Sequence, residues 1–212
     1  MIFAAAPAAL LSLALCSAAI AKDEVKAPKG NYKLDPDHAS LTFKILHFGL
    51  SNYTARFTKF DASLSLDPAN LTNSTVNATV DPASVRTDYS GDFKAGHKDS
   101  PYRSFDEEIG KGAQFLNDGK FPTITFKSTS VKLGPNEHLA VTGSLTFLGV
   151  TKPVTLDASI VGSIEKHPFT GKGVIGFSAI TKFKRSEWGM TGTQAFLGDE
   201  VTIIFEGEFD QQ

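Results

Sequence analysis

Along most of this chain apolar residues recur at every second position, and no other feature restricts the fold as strongly. Residues 38–66 read as two such stretches joined by a turn that contains Gly49. In the first, Leu41, Phe43 and Ile45 share one face while Ser40, Thr42 and Lys44 share the other, because strand side chains alternate with period two. The pattern repeats at Phe60, Ala62, Leu64 and Leu66, at Val76, Ala78 and Val80, at Ile124 and Phe126, and at Val141, Leu145 and Phe147. It returns at Leu156, Ala158 and Ile160, at Phe177, Ala179 and Phe183, and at Val201, Ile203 and Phe205. Turn residues separate the runs: Asp67-Pro68, Asp81-Pro82, Gly134-Pro135-Asn136, Gly149 and Gly198-Asp199. Many short strands with frequent turns point to a mainly β protein, an antiparallel barrel or sandwich.

Between Asp81 and Phe121 the alternation lapses. There Ser104-Phe105-Asp106-Glu107 has the Ser-x-x-Glu form of a capping box, in which hydroxyl and carboxylate satisfy the first free amides of a helix. A helix is expected from about Phe105 to Phe115. Gly110 and Gly112 each disfavour helix by about 1 kcal/mol relative to alanine, which keeps it short or irregular. Such an excursion is suited to covering one end of a barrel.

The first residues, 1–21, form an uncharged Ala/Leu-rich stretch that ends in Ala19-Ile20-Ala21 ahead of Lys22-Asp23-Glu24. They read as a secretory signal peptide with an A-x-A cleavage site. Pro7 and the many small residues make a spanning helix the weaker reading. The sole cysteine, Cys16, lies in this leader, and Leu15 before it departs from the small residue that precedes a lipidated cysteine. Cleavage leaves a chain without cysteine, so an oxidising compartment offers no disulfide and an apolar core must supply the stability. Residues 22–30 read as a flexible N-terminal arm. A net charge of −2 gives no basis for nucleic-acid binding or for attraction to an anionic membrane.

The five histidines, His38, His47, His97, His138 and His167, lack the i, i+2 or i, i+4 spacing of a metal motif, and no metal site is expected. No Gly-x-Ser-x-Gly elbow announces a nucleophile, and no catalytic residue can be named. The charged group Asp88, Asp92, His97, Lys98, Asp99, Arg103, Asp106, Glu107 and Glu108 mixes both signs and reads as solvated surface around a helix start. Sequons at Asn52, Asn70, Asn73 and Asn77 read as polar outer-face residues. His47 continues the parity of Leu41, Phe43 and Ile45, so it faces inward, either as a buried histidine satisfied by a backbone group or as a contact to a ligand head group. The chain holds 17 Phe against one Trp and four Tyr. An interior rich in Phe, which has no polar handle, either packs solid or encloses something hydrocarbon-like. A barrel of about eight strands has the size at which both outcomes occur.

Several motifs together resemble the YceI-like family of secreted bacterial proteins. They are Leu34-Asp35-Pro36-Asp37-His38-Ala39-Ser40-Leu41-Thr42-Phe43, His47-Phe48-Gly49, Phe121-Pro122-Thr123-Ile124-Thr125-Phe126-Lys127-Ser128 and Val141-Thr142-Gly143-Ser144-Leu145-Thr146. Gly149-Val150-Thr151-Lys152-Pro153-Val154, Gly176-Phe177-Ser178-Ala179, Arg185-Ser186-Glu187-Trp188-Gly189-Met190 and Gly198-Asp199-Glu200-Val201 complete the set. Two departures stand out. His97-Lys98-Asp99-Ser100 is followed by a longer stretch than the compact His-Leu-x-Ser helix of the family, and Trp188 stands where Phe is usual.

The resemblance implies a lipocalin-like antiparallel β-barrel of about eight strands over residues 31–212, with a short helical insertion closing one end. Its apolar tunnel would bind a polyisoprenoid, an isoprenoid quinone or a similar amphiphilic lipid in the periplasm, without catalysis and without any other cofactor. The expected lining is Phe43, Ile45, Phe60, Leu64, Ile124, Phe126, Phe147, Phe177, Phe183 and Ile203, with His47 and Arg185 as polar candidates. Arg185 stands equally as a buried structural ion or turn anchor. Transient contact with a membrane or a membrane-bound b-type cytochrome, and homodimerisation, remain open. At about 0.8 kcal/mol per buried CH₂, moving about forty carbons from water would exceed the ceiling of about 18 to 21 kcal/mol for non-covalent binding. The relevant donor is therefore a membrane, an equally apolar medium, and transfer into the tunnel is near balance.

Overall fold

The computed structural model describes residues 24–135 and 138–212. The leader expected over 1–21, with Cys16 and its cleavage site, lies outside the described residues. Ten strands follow in order: β1 (Gly30–His47), β2 (Ser51–Phe57), β3 (Phe60–Leu66), β4 (Thr75–Val80), β5 (Val85–Arg86), β6 (Ile124–Leu133), β7 (Leu139–Phe147), β8 (Val150–Ile164), β9 (Val174–Lys184) and β10 (Leu197–Gln211). Two short helices, α1 (Phe93–Gly96) and α2 (Phe105–Lys111), lie between β5 and β6.

Eight of the strands close into an antiparallel ring in the order β1-β10-β9-β8-β7-β6-β4-β3, and β3 returns to β1. The return is partial. β1 pairs with β3 only from Gly30 to Lys33, and from Leu41 to His47 its partner on that side is β2, which in turn carries β5. One end of the barrel, here the upper, is thus marked by His47 and the last residues of β9. The other, the lower, is marked by Gly30 and the last residues of β10. At the upper end α2 packs against β5 and against the single 3-10 turn Pro82–Ser84 that precedes it.

Bulges correct the parity where a long strand would otherwise turn its apolar face outward. In β1 the buried residues are Tyr32 and Leu34 before Asp35-Pro36-Asp37-His38, and Ile45 after it, so the inward set changes from even to odd positions. A second register shift in β6, between Ser128 and Ser130, does the same for Phe126 and Val131. The described part of the N-terminal arm is anchored: Ala27 is buried, the Lys26 N–H donates to Ser163 Oγ at 2.8 Å, and Lys29 meets Asp67 at 2.8 Å. Its apolar residues Val25 and Ala27 join the lower core.

The buried side chains form two clusters. Tyr32, Leu34, Leu66, Leu139, Ile175 and Phe209 fill the lower end, while Phe57, Val85, Leu116, Phe147, Val154 and Trp188 fill the upper. The helix expected to reach Phe115 stops at Lys111. A Cβ on Gly112 would lie 2.5 Å from the Glu108 carbonyl oxygen, so the chain departs from the helix at that close approach.

Candidate functional site

Between and alongside the two buried clusters runs one cavity of about 760 Å³. Its lining extends on β10 from Leu197 to Phe209, about 40 Å of strand at about 3.3 Å per residue. Its volume falls in the range of about 300–1,000 Å³ typical of ligand sites. Filled with water it would leave most of the molecules facing hydrocarbon. An apolar chain suits the space better.

All twelve residues singled out from the sequence border this cavity. Phe43, Ile45 and His47 come from β1, Phe60 and Leu64 from β3, Ile124 and Phe126 from β6 and Phe147 from β7. Phe177 and Phe183 come from β9, Ile203 from β10 and Arg185 from the turn after β9. The rings contact one another around the wall and not across it. Phe43 meets Phe57 at 5.6 Å, Phe60 meets Phe205 at 6.5 Å, Phe147 meets Phe183 at 6.3 Å and Phe177 meets Phe209 at 5.9 Å, each pair on strands that are adjacent or one apart.

What keeps the axis open is a set of small residues that the sequence reading used only for parity. Ala62 sits opposite Ala78 on β3 and β4, and Ala158 opposite Ala179 on β8 and β9, all four on the cavity wall. Small side chains on facing walls leave an axial void that larger ones would fill. The helical insertion contributes Phe105, Ile109, Phe115 and Leu116, and the loops contribute Phe48 and Phe196. None of these six was expected. Phe48 had a sequence signal in its place beside the turn residue Gly49, whereas the insertion lacks the alternation that marks a wall.

At the upper end His47, His97, Glu108 and Gln114 border the cavity, and at the lower end Ser74 and Thr75 do. The expectation of a buried, backbone-bonded His47 is corrected. Its side chain is exposed at the rim, edge-on to Phe48 at 4.7 Å and 6.3 Å from Tyr53. As the last residue of β1, His47 reaches water and needs no buried carbonyl partner. Arg185 is 1 % exposed and its guanidinium makes four hydrogen bonds to the backbone. Nε donates to the Gly198 carbonyl at 2.9 Å, Nη1 to Met190 and Gly192 at 3.0 and 2.7 Å, and Nη2 to Leu197 at 3.1 Å. Burial pushes its pKa below the ordinary guanidinium value, and nearby Asp199 opposes that shift. The arginine holds the 190–198 loop in place, so of the two roles open to it the anchor is the one the geometry supports.

Within the charged group of the insertion, His97 and Glu108 border the cavity and several of the carboxylates are hydrogen-bonded nearby. The Asp92 carboxylate accepts from the amides of Lys94 and Ala95, and the Asp106 carboxylate from the amide and hydroxyl of Thr87. Glu107 accepts from Arg103 and Lys111. The sequon asparagines Asn52, Asn70, Asn73 and Asn77 are all exposed. The β1 bulge and β10 together gather Asp35, His38 and Glu208, with ligand-capable atoms within 4.8 Å of one another, a grouping that sequence spacing hid. His38 Nδ1 there already pairs with Asp35 at 2.7 Å on an exposed surface.

Comparison with known proteins bears on this architecture. A protein called YceI from Salmonella arizonae is 37% identical over 188 residues, covering 88% of this chain and 90% of the relative. The crystal structure of a Campylobacter jejuni YceI protein superposes with a TM-score of 0.61 at 30% identity, covering 80% of this chain and 91% of that one. A domain from Saccharophagus degradans, described as polyisoprenoid-binding and implicated in plant cell wall breakdown, shares the fold with a TM-score of 0.55 at 11% identity, covering 87% and 100%. The model of the YceI-like domain matches residues 32–209, the span that builds the ring and its cavity, and this chain belongs to the YceI-like family.

Proposed function

We propose that this protein is a non-catalytic binder and carrier of a polyisoprenoid, an isoprenoid quinone or a similar amphiphilic lipid, held with its chain along the barrel axis. The observation that carries this reading is the cavity, walled by Phe, Leu, Ile, Val and Ala from all eight strands of the ring. An apolar channel of this length rewards a long hydrocarbon and leaves selectivity to the few polar groups on its border. The polyisoprenoid-binding description of one relative in fold is in keeping with this. The leader-like residues 1–21 support a periplasmic setting, in which a lipid between two membranes needs a soluble container.

Purification from native cells without detergent, followed by native mass spectrometry and mass analysis of the organic extract, tests the proposal. A single intact lipid leaving with each chain is the expected result. Conversion of an added isoprenoid to a new product would make the barrel an enzyme. A bare chain that also fails to take up an added isoprenoid would overturn the carrier reading.

A further inference from the structure

We propose that the upper rim of the barrel is a docking surface for a lipid bilayer, formed by Leu46, Phe48, Leu50 and Phe196. The inference rests on the carrier reading and names the surface through which its lipid enters and leaves. These side chains are 43%, 58%, 86% and 46% exposed, a cluster of apolar area on one end of the molecule. Phe48 and Phe196 also line the cavity, and their rings stand 5.5 Å apart. A chain leaving the tunnel at this end passes from one apolar wall to rings that already face outward.

The backbone holds this arrangement at a disadvantage to itself. The β1–β2 connection is the three residues Phe48, Gly49 and Leu50, a turn in which the Leu50 N–H donates to the His47 carbonyl at 2.9 Å, with Phe48 at φ +51° and Gly49 at φ +69°. Positive φ at both central positions favours Asn-Gly or Gly-Gly, and a bulky aromatic rarely takes the first place. Phe48 is fixed there by its N–H, which donates to the Phe196 carbonyl at 2.7 Å. An aromatic residue in an unfavourable backbone conformation, pinned across two loops and still more than half exposed, recovers only part of its burial within the chain. A bilayer interface supplies the missing burial, as it does for other exposed aromatic and leucine side chains.

The outer face just below the rim carries Lys44, Lys182 and Lys184, exposed on strands that pair through Thr202 and Glu200. Lysine stems beside a membrane surface can lie along apolar area while their ammonium groups stay hydrated. Lys182 pairs with Glu200 at 3.0 Å, so the field here is nearly balanced and apolar burial dominates. A second exposed apolar set, Leu133, Val161 and Phe169, none of them on the cavity wall, serves as an internal control.

The test is co-sedimentation of the mature chain with vesicles of phosphatidylethanolamine and phosphatidylglycerol, alongside loading with an isoprenoid in vesicle-free solution. Leu50→Ser, which alters no cavity residue, is expected to reduce vesicle binding about tenfold with loading unchanged. Phe48→Asn suits the turn better than the native residue, and it is expected to fold as stably as the native chain or more so while losing vesicle binding. Phe169→Ser is expected to change nothing. Vesicle binding unaffected by Leu50→Ser and Phe48→Asn, or absent in the native chain that still loads, would overturn the rim assignment and leave the carrier reading standing. A rim that instead joins two copies, seen as a dimer lost in Leu50→Ser without vesicle binding, would overturn it too. Failure of the native chain to load isoprenoid at all would overturn the carrier reading itself.

Discussion

Arg185 shows what a single residue can hide in a sequence. Its side chain lies on an apolar parity with Phe177, Ala179 and Phe183, and nothing local tells a ligand contact from an anchor. The answer depends on which carbonyls the 190–198 loop turns inward, a tertiary fact. Replacing it by Met removes four charge-assisted hydrogen bonds to carbonyls, of which only Gly192 keeps another side-chain donor, the Thr193 hydroxyl, and at about 1.5–3 kcal/mol for a bond to a charged group Arg185→Met is expected to lose at least about 3 kcal/mol in urea unfolding. Arg185→Lys, a point charge without the planar fork, is expected to recover only part of that loss. Alanine size carries the opposite lesson. Ala62, Ala78, Ala158 and Ala179 were visible as inward positions, yet whether facing walls meet depends on which small residues share a level, and that needs the register. Ala179→Phe places a ring in the channel, and isoprenoid uptake is expected to fall by more than half with the fold retained, as read by lipid titration and circular dichroism.

At the scale of elements, the strands were legible and their corrections were not. The inward parity of β3, β4, β7, β9 and β10 followed from period-two alternation, which a half-buried wall imposes directly. The bulges in β1 and β6 and the partner change from β3 to β2 follow from closing a sheet into a ring, a constraint no local window contains. The helix α2 was announced by its cap. Ser104 Oγ accepts from the Glu107 N–H at 3.1 Å, and Ser104→Ala is expected to destabilise the insertion by about 1 kcal/mol, measured by amide exchange. The box is only half formed, since the Glu107 carboxylate bonds the Arg103 amide at 2.8 Å and not that of Ser104. The Arg103 guanidinium, then Lys111, hold the Glu107 pKa down to about 2 from its ordinary value. A folded pKa below the unfolded one gives stabilisation that is complete above the ordinary carboxylate range and fades as pH falls through about 4 toward about 2. Exchange protection of α2 is expected to weaken over that window, and Glu107→Gln to remove the pH dependence.

For the molecule as a whole, the central claim is a continuous apolar hollow that takes a hydrocarbon chain. A solid core and a hollow one share the same strand pattern, so the sequence left both open until the alanine levels and the ring contacts around the wall distinguished them. The single tryptophan makes the claim measurable. Trp188 is buried, its indole N–H donating to the Leu145 carbonyl at 3.3 Å and its ring 4.9 Å from Phe183, which faces the cavity. The direct test is quenching of Trp188 fluorescence by an isoprenoid chain carrying bromine substituents, added to the delipidated protein. Saturable quenching at about one chain per protein, lost in Ala179→Phe, is the expected result. Unchanged emission at every ratio, from a protein that circular dichroism shows to be folded, would contradict the account.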